Sequence, residues 1–358
     1  MMRVLYDYQA FLQRYGGVSR YFVELIDEMR KVDDFQPILP RFFSDNQYLH
    51  EKRALLTHAQ FKGKKYFLKY ANRAISLVAF SGSYDLFHAT HYDPYFIPHI
   101  RSPFVVTVHD MIHELFSETS VRDDGTKRNK REVAEKSARI ITVSQNTKKD
   151  LCSLLSVPEE KVSVVYHATR IKYTGENPNR ARPYLLYVGE RDGYKNFVFF
   201  LDAVAPLLKK YDADLVCAGG LPFSSAEQIM IDRLKLAGRV EHVPFSSAGI
   251  LAGFYRHAVA FCFPSLYEGF GIPILEAFAC GCPVVLSDRS CFPEIAGNAA
   301  AYFNPEDREA IAASIDSILS DTSLRAALSE RGTLRSADFS WERSADKTLE
   351  VYRSAIHG

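Results

Sequence analysis

The sequence predicts an α/β protein of two Rossmann-like, doubly wound parallel-sheet domains facing across a cleft, and three observations lead there. Short, β-prone apolar runs alternate with helical patterns along the whole chain, a pattern that calls for parallel strands with helices on both faces. The 358 residues, 47% of them hydrophobic, suffice for about two domains with separate cores. A polar stretch, Ala168–Arg182, carries Gly175, Asn177, Pro178 and Asn179 and reads as a linker between two groups of strands.

The first group contains the strand candidates Val4–Tyr6, Leu86–His88, Phe104–Val108, Ile140–Val143 and Val162–Val165. The second contains Tyr184–Val188, Asp214–Cys217, Val240–Val243, Ala258–Phe263 and Val284–Ser287. Each run is short enough for a buried strand, and helical periodicity fills the gaps. The expected domains are therefore 1–168 and 169–339, followed by a helical pattern over Trp341–Ala355. Ligands of such sheets bind at the carboxyl ends of the strands, so the loops there are where chemistry is expected.

Composition narrows the function classes. A net charge of +1 argues against bulk nucleic-acid binding. No run reaches the ~18 apolar residues of a membrane span. The first residues, Met1-Met-Arg-Val-Leu-Tyr6, start as a strand without a signal-peptide pattern. Six scattered cysteines, with Cys280-Gly-Cys282 the one close pair, match neither a zinc spacing nor a disulfide framework. A cytoplasmic protein with reduced thiols is expected.

The most informative stretch is Ser265–Gly281, SLYEGFGIPILEAFACG. It follows the apolar run Ala258–Phe263. Pro273 suits a first helical turn and Gly281 the position past the helix end. Glu268 then lies in a strand-to-helix loop, and Gly271 allows close backbone approach. The amides around Phe270, Gly271 and Ile272 open a helix whose N-terminus favours an anion, and Glu276 is placed in its first turn. Two carboxylates beside an anion-binding turn suit a ligand with both phosphate and hydroxyls, such as a nucleotide-sugar. The plainer reading is a capped helix with a Glu complementing its dipole.

A second loop, Tyr187–Asn196, puts Arg191 and Lys195 at the same sheet edge. Cations there can stabilise a diphosphate leaving group as its charge grows, although an ordinary solvated βα loop carries such residues too. Gly219 ends another strand where a ligand can approach the backbone, and Val243 ends the next. In the first half, Gly16 and Gly17 join the first strand to an amphipathic helix and can bring amides onto a phosphate. His109 closes the strand Phe104–Val108, a place where a histidine is often only structural. No Gly-x-Gly-x-x-Gly or Gly-x-x-x-x-Gly-Lys-Ser/Thr motif occurs, which counts against dehydrogenases and P-loop enzymes.

The glutamate pair, the glycines between them and the Pro283–Asp288 run after them resemble the family 4 retaining glycosyltransferases, the group 1 enzymes of GT-B fold. The resemblance covers nearly the whole chain and is strongest over Leu185–Asn304. It implies transfer of a hexose, with retention, from a UDP- or GDP-linked sugar to a hydroxyl of a glycan or lipid-linked glycan. It also implies a process in bacterial O-antigen, capsule or exopolysaccharide synthesis. Glu276 would hold the ribose and Glu268 the sugar hydroxyls. Lys195, Arg191 and the Phe270–Ile272 amides would bind the diphosphate, with Gly16, Gly17, Gly219 and Val243 as further donor contacts and His109 orienting the sugar. Arg191 sits one place further from Gly189 than the family's commonest motif has it. The family needs no metal or other cofactor, and its last helix, 340–358, crosses back onto the first domain.

Several features admit other readings. His88, His91, His109 and His113 invite a zinc site, but Met111 and Ile112 suggest a loop between the last two. Asp212-Ala-Asp214 imitates a metal-binding Asp-x-Asp yet precedes its strand, at the wrong sheet edge for a ligand. Lys52–Arg73 carries seven Lys or Arg and no Asp or Glu, interleaved with Phe61, Tyr66, Phe67 and Tyr70. That is either a solvated basic face or a surface for anionic lipid at the inner membrane. A sugar-nucleotide 2-epimerase of the same fold, and a non-catalytic nucleotide-sugar-binding scaffold, are the rival functions.

Overall fold

A computed structural model describes residues 1–14, 16–49, 54–56, 61–116 and 125–358. The described residues form two compact units, each built on a six-stranded parallel sheet. One unit takes in Met1–Leu115, 125–167 and Ser340–Gly358; the other holds Phe116 and Ala168–Phe339.

In the first unit the strands are β1 (Met2–Tyr6), β2 (Phe35–Ile38), β5 (Leu86–Ala89), β6 (Phe104–Val108), β7 (Arg139–Thr142) and β8 (Val162–Val164), ordered β2-β1-β5-β6-β7-β8. Between them, β3 (Phe42–Ser44) and β4 (Ala54–Leu56) form a separate parallel pair. β5 and β6 are buried at every position, as expected of parallel strands covered on both faces. The helix Gly17–Met29 buries Tyr21, Phe22, Leu25, Ile26 and Met29, spaced to form one apolar face. The closing helix Trp341–His357 packs beside it, with the Trp341 and Tyr21 rings 6.0 Å apart. Tyr352 ties that helix to the sheet: its hydroxyl lies 2.9 Å from the Tyr6 hydroxyl and 2.6 Å from His88 Nδ1.

The second unit orders β9 (Tyr184–Val188), β10 (Asp214–Ala218), β11 (Val240–Val243), β12 (Ala260–Phe263), β13 (Val284–Ser287) and β14 (Ala301–Phe303) as β11-β10-β9-β12-β13-β14. Its core joins Leu185, Tyr187, Cys217 and Val285 from the sheet to Phe200, Val204 and Ile315 from flanking helices. The chain runs outward from β9 to β11, then crosses back to place β12 on the other side of β9. That reversal is the switch point at which open α/β sheets bind ligands.

Four strands lie outside the sequence expectation: β2 and β14 in the two main sheets, and β3 and β4 of the small pair. Both β2 and β14 are edge strands, and β2 carries Pro37, which an edge tolerates because one side needs no ladder hydrogen bond.

Candidate functional site

The loops after β9 and β12 leave the sheet side by side, and the residues on them meet. Leu266 N–H donates to the Tyr194 carbonyl at 2.8 Å. Lys195 Nζ lies 2.6 Å from Glu268 Oε1, with the two side chains 19% and 12% exposed. Lys195 ends a single 3₁₀ turn, Gly193–Lys195, and Asn196 follows with φ 57°, a left-handed conformation that asparagine tolerates. Asn196 fixes this loop by donating from Nδ2 to the Pro305 carbonyl at 2.7 Å. Glu268 is held from behind by Ser290: its N–H donates to Ser290 Oγ at 3.2 Å, and that hydroxyl donates to the Glu268 carbonyl at 2.5 Å.

Beyond Glu268 the chain turns into the helix Ile272–Ala279 through Gly271, whose φ of 87° is left-handed. A Cβ there would also fall 3.0 Å from Ile274 Cδ1, so both backbone and packing favour glycine. Pro273 occupies the first turn. Glu276 does not: the helix begins at Ile272, so Glu276 opens the second turn, one residue later than its expected place. It is buried and accepts a hydrogen bond from the Tyr255 hydroxyl at 3.3 Å.

Arg191 has other partners. Its Nε lies 2.6 Å from Glu227 Oε1 and its Nη2 donates to the Leu221 carbonyl. The guanidinium stacks over Phe223 at 4.8 Å. Glu227 in turn closes a capping box with Ser224 at the start of the helix Ser225–Arg233. The arginine's charge is thus compensated inside the protein.

Gly219 follows β10 with φ 75°, and a Cβ there would lie 2.8 Å from Phe245 Cε1. Its N–H donates to the Val243 carbonyl at 2.9 Å, and His242 Nε2 lies 3.1 Å from its carbonyl. Asp212 pairs with Arg239 and Asp214 with Arg182, at 2.7 and 2.8 Å. Both acids are engaged with arginines at the amino edge of the sheet.

In the first unit, Gly16 caps the helix that Gly17 begins, and the Gly16 carbonyl accepts from Arg20 N–H at 3.2 Å. His109 follows β6 among aromatic rings, with Tyr21 edge-on at 5.2 Å and His167 stacked at 5.8 Å. Burial pushes its pKa down to about 4, so the ring is neutral near pH 7, and its Nε2 has no hydrogen-bond partner among the described residues. His88 is a core residue: besides Tyr352, its Nε2 meets Thr107 Oγ1 at 2.9 Å. No cluster of three or more His, Cys, Asp or Glu suited to a metal occurs among the described residues. Ser290, Tyr255, Glu227 and Asp7 escaped the sequence reading. Asp7 follows β1 and accepts from the Tyr95 hydroxyl at 2.8 Å, and burial raises its pKa to about 7. None of these four sits in a motif whose spacing announces it.

Among the described residues no helix is long and apolar enough to cross a membrane. Lys52 and Arg53, the start of the basic segment, lie outside the described residues.

Comparison with known proteins agrees with this architecture. The family described as "Glycosyl transferases group 1" matches residues 172–335, and "Glycosyltransferase Family 4" matches residues 15–173. The chain is 24% identical to O-antigen chain mannosyltransferase B of Escherichia coli, over 98% of this chain and 100% of the relative. It is 29% identical to O-antigen chain mannosyltransferase RfbU of Salmonella typhimurium, over 66% of this chain and 65% of that one. Among solved structures, Anabaena Alr3699/HepE in complex with UDP and glucose superposes with a TM-score of 0.78 at 18% identity, covering 99% and 100% of the two chains. With the two family matches together running from residue 15 to 335 and both sheets in place, the chain belongs to the group 1, family 4 glycosyltransferases of GT-B fold.

Proposed function

We propose that this glycosyltransferase moves a hexose, mannose being the first to test, from a nucleoside-diphosphate sugar to a hydroxyl of a glycan or lipid-linked glycan. The acceptor would belong to O-antigen or a related bacterial surface polysaccharide, as the names of two relatives suggest. The observation that carries the reading is the Lys195–Glu268 pair at the β9/β12 switch point, beside the helix start at Gly271. A cation and a helix N-terminus together suit a diphosphate, and carboxylates suit hydroxyls.

In this scheme Glu276 holds the ribose, Glu268 the sugar hydroxyls, and Lys195 with the Phe270–Ile272 amides the diphosphate. Gly219 and Val243 border the base, and Gly16 and Gly17 offer amides from the first unit. The bond from the anomeric carbon to the diphosphate breaks as the bond to the acceptor oxygen forms on the same face. The acceptor's proton passes to a phosphate oxygen of the departing nucleotide. His109, neutral and with an unpartnered Nε2, orients the sugar. Arg191 acts as a positioning residue: paired with Glu227, it fixes the loop that carries Lys195. Positive charge from lysine and helix replaces a metal's role on the leaving group.

The test begins with thermal shift against UDP, GDP, ADP and dTDP, since a ligand that binds the folded state raises its stability. Transfer from the corresponding sugars is then followed in excess EDTA, with the anomeric configuration of the product read by NMR. Transfer with retention in EDTA supports the scheme. An inverted product refutes retention, and activity restored by magnesium or manganese refutes metal independence. Epimerisation or binding without turnover would favour a rival function.

A further inference from the structure

The helix Lys64–Phe80 is built inside out. The side it buries is Lys64, Leu68, Asn72 and Ser76, one residue per turn and mostly polar. Specific bonds hold that side. Lys64 Nζ pairs with Asp45 at 2.9 Å, and Asn72 exchanges hydrogen bonds with the backbone of Phe43 at 2.8 and 2.9 Å. Many of its apolar side chains face water instead: Tyr66 is 67% exposed, Tyr70 62% and Val78 75%, with Leu77 beside them and Phe61 and Phe67 at the leading end.

Residues at 66, 70 and 77 share one helical stripe. Lys65, Lys69 and Arg73 run along its flank at the same spacing, and Lys62 lies just before the helix. Lys62 and Lys65 are exposed, while Lys69 and Arg73 share Asp93. From 61 to 80 the sequence contains no Asp or Glu. Water-facing aromatics are costly without a partner, and a partner chosen by this surface accepts tyrosine rings at a polar–apolar boundary and carries negative charge. An anionic bilayer surface meets both demands, since aromatic side chains settle at the headgroup level and basic residues are drawn to acidic lipid.

We infer that Phe61–Val78 is a membrane-docking face that seats the first unit on anionic lipid, with the aromatics entering the headgroup region and Lys62 and Lys65 meeting lipid phosphates. It acts independently of which sugar is transferred.

The full chain is sedimented with vesicles of phosphatidylcholine alone or mixed with phosphatidylglycerol. Binding is expected with the mixture alone, weakening with salt as the Debye length shrinks from ~10 Å at 0.1 M towards ~3 Å at 1 M. Each surface lysine is worth roughly 1 kcal/mol, so Lys62→Ala/Lys65→Ala should weaken partitioning on the order of 25-fold. Tyr66→Ser/Tyr70→Ser should release the protein at any salt. All four positions are exposed, so thermal unfolding should be unchanged. A fluorophore on Leu77→Cys, in a Cys152→Ser background, should blue-shift with the mixed vesicles, while one on Leu334→Cys should not. The proposal is overturned by absence of sedimentation at low salt, or by binding indifferent to these variants. It is equally overturned if the tyrosine variants instead disperse a dimer seen by sedimentation velocity, because the face would then be a protein interface.

Discussion

Lys195→Ala separates catalysis from binding at the proposed donor site. The ammonium lies 2.6 Å from Glu268 Oε1, and the two side chains are 19% and 12% exposed. Its removal has two consequences of different size. Charge on the leaving diphosphate grows only as the glycosidic bond breaks, and losing one preorganised donor to such charge costs about 10²–10³ in kcat, or ~2.7–4 kcal/mol. The fold loses a charge-assisted hydrogen bond, about 1–2 kcal/mol after discounting for the pair's partial hydration. Glu268→Gln added to Lys195→Ala should recover most of that stability and none of the rate. Initial rates over a range of donor concentrations, with urea unfolding of the same preparations, measure both. The reasoning fails if kcat stays within about threefold of the wild type, or if the whole effect falls on KM.

Glu276→Gln should raise donor KM and weaken binding of the free nucleotide about tenfold, the worth of one hydrogen bond to a charged group. Titration calorimetry showing unchanged nucleotide affinity would remove the ribose role. Arg191→Met should lower stability by about 3 kcal/mol, because Glu227 is left largely buried without its cation. The folded variant should keep kcat within a few-fold of the wild type, and a kinetic loss as large as that of Lys195→Ala would return Arg191 to the diphosphate. Acid should destabilise the fold. His88, His109 and His167 are held below their usual pKa by burial, the first two at about 3 and 4, so the unfolded chain takes up protons that the fold refuses as pH drops below 6.5. Asp7, raised to about 7, opposes this with one proton. Between pH 6 and 5 the difference is a little under two protons, or about 2.5 kcal/mol of stability lost per pH unit. A flat or rising urea midpoint over that interval would contradict it.

What the sequence made legible was local. Runs such as Tyr184–Val188 and Phe104–Val108 are strands with the expected bounds, because buried parallel strands need continuous apolar residues. The Glu268 loop could be read for the same reason: the strand before it and Pro273 after it fix its place. Partners far along the chain could not. Nothing near Arg191 announces that Glu227 will neutralise it, and nothing near Glu276 announces Tyr255. Glu276 misses the first turn by one residue because the helix starts at Ile272 rather than at Pro273, and proline suits either of the first two helical positions. The strand β2 was hidden by Pro37, whose tolerance depends on an edge position that only the assembled sheet reveals. The inside-out helix at Lys64 showed its composition in advance, but which side faced water required the fold.

The closing helix changes how this chain matures on the ribosome. The first unit's strands are all made by Val164, yet the hydroxyl that joins Tyr6 to His88 belongs to Tyr352, and Ser344 reaches the Tyr166 carbonyl from the same late segment. At synthesis rates of about 5–20 residues per second, the earliest domain waits some tens of seconds for its last structural piece. Apart from Phe116, the described part of the second unit is one run, Ala168–Phe339, and is made before that. The part made first is therefore completed late, and a premature stop ahead of Ser340 would injure the first unit rather than the second.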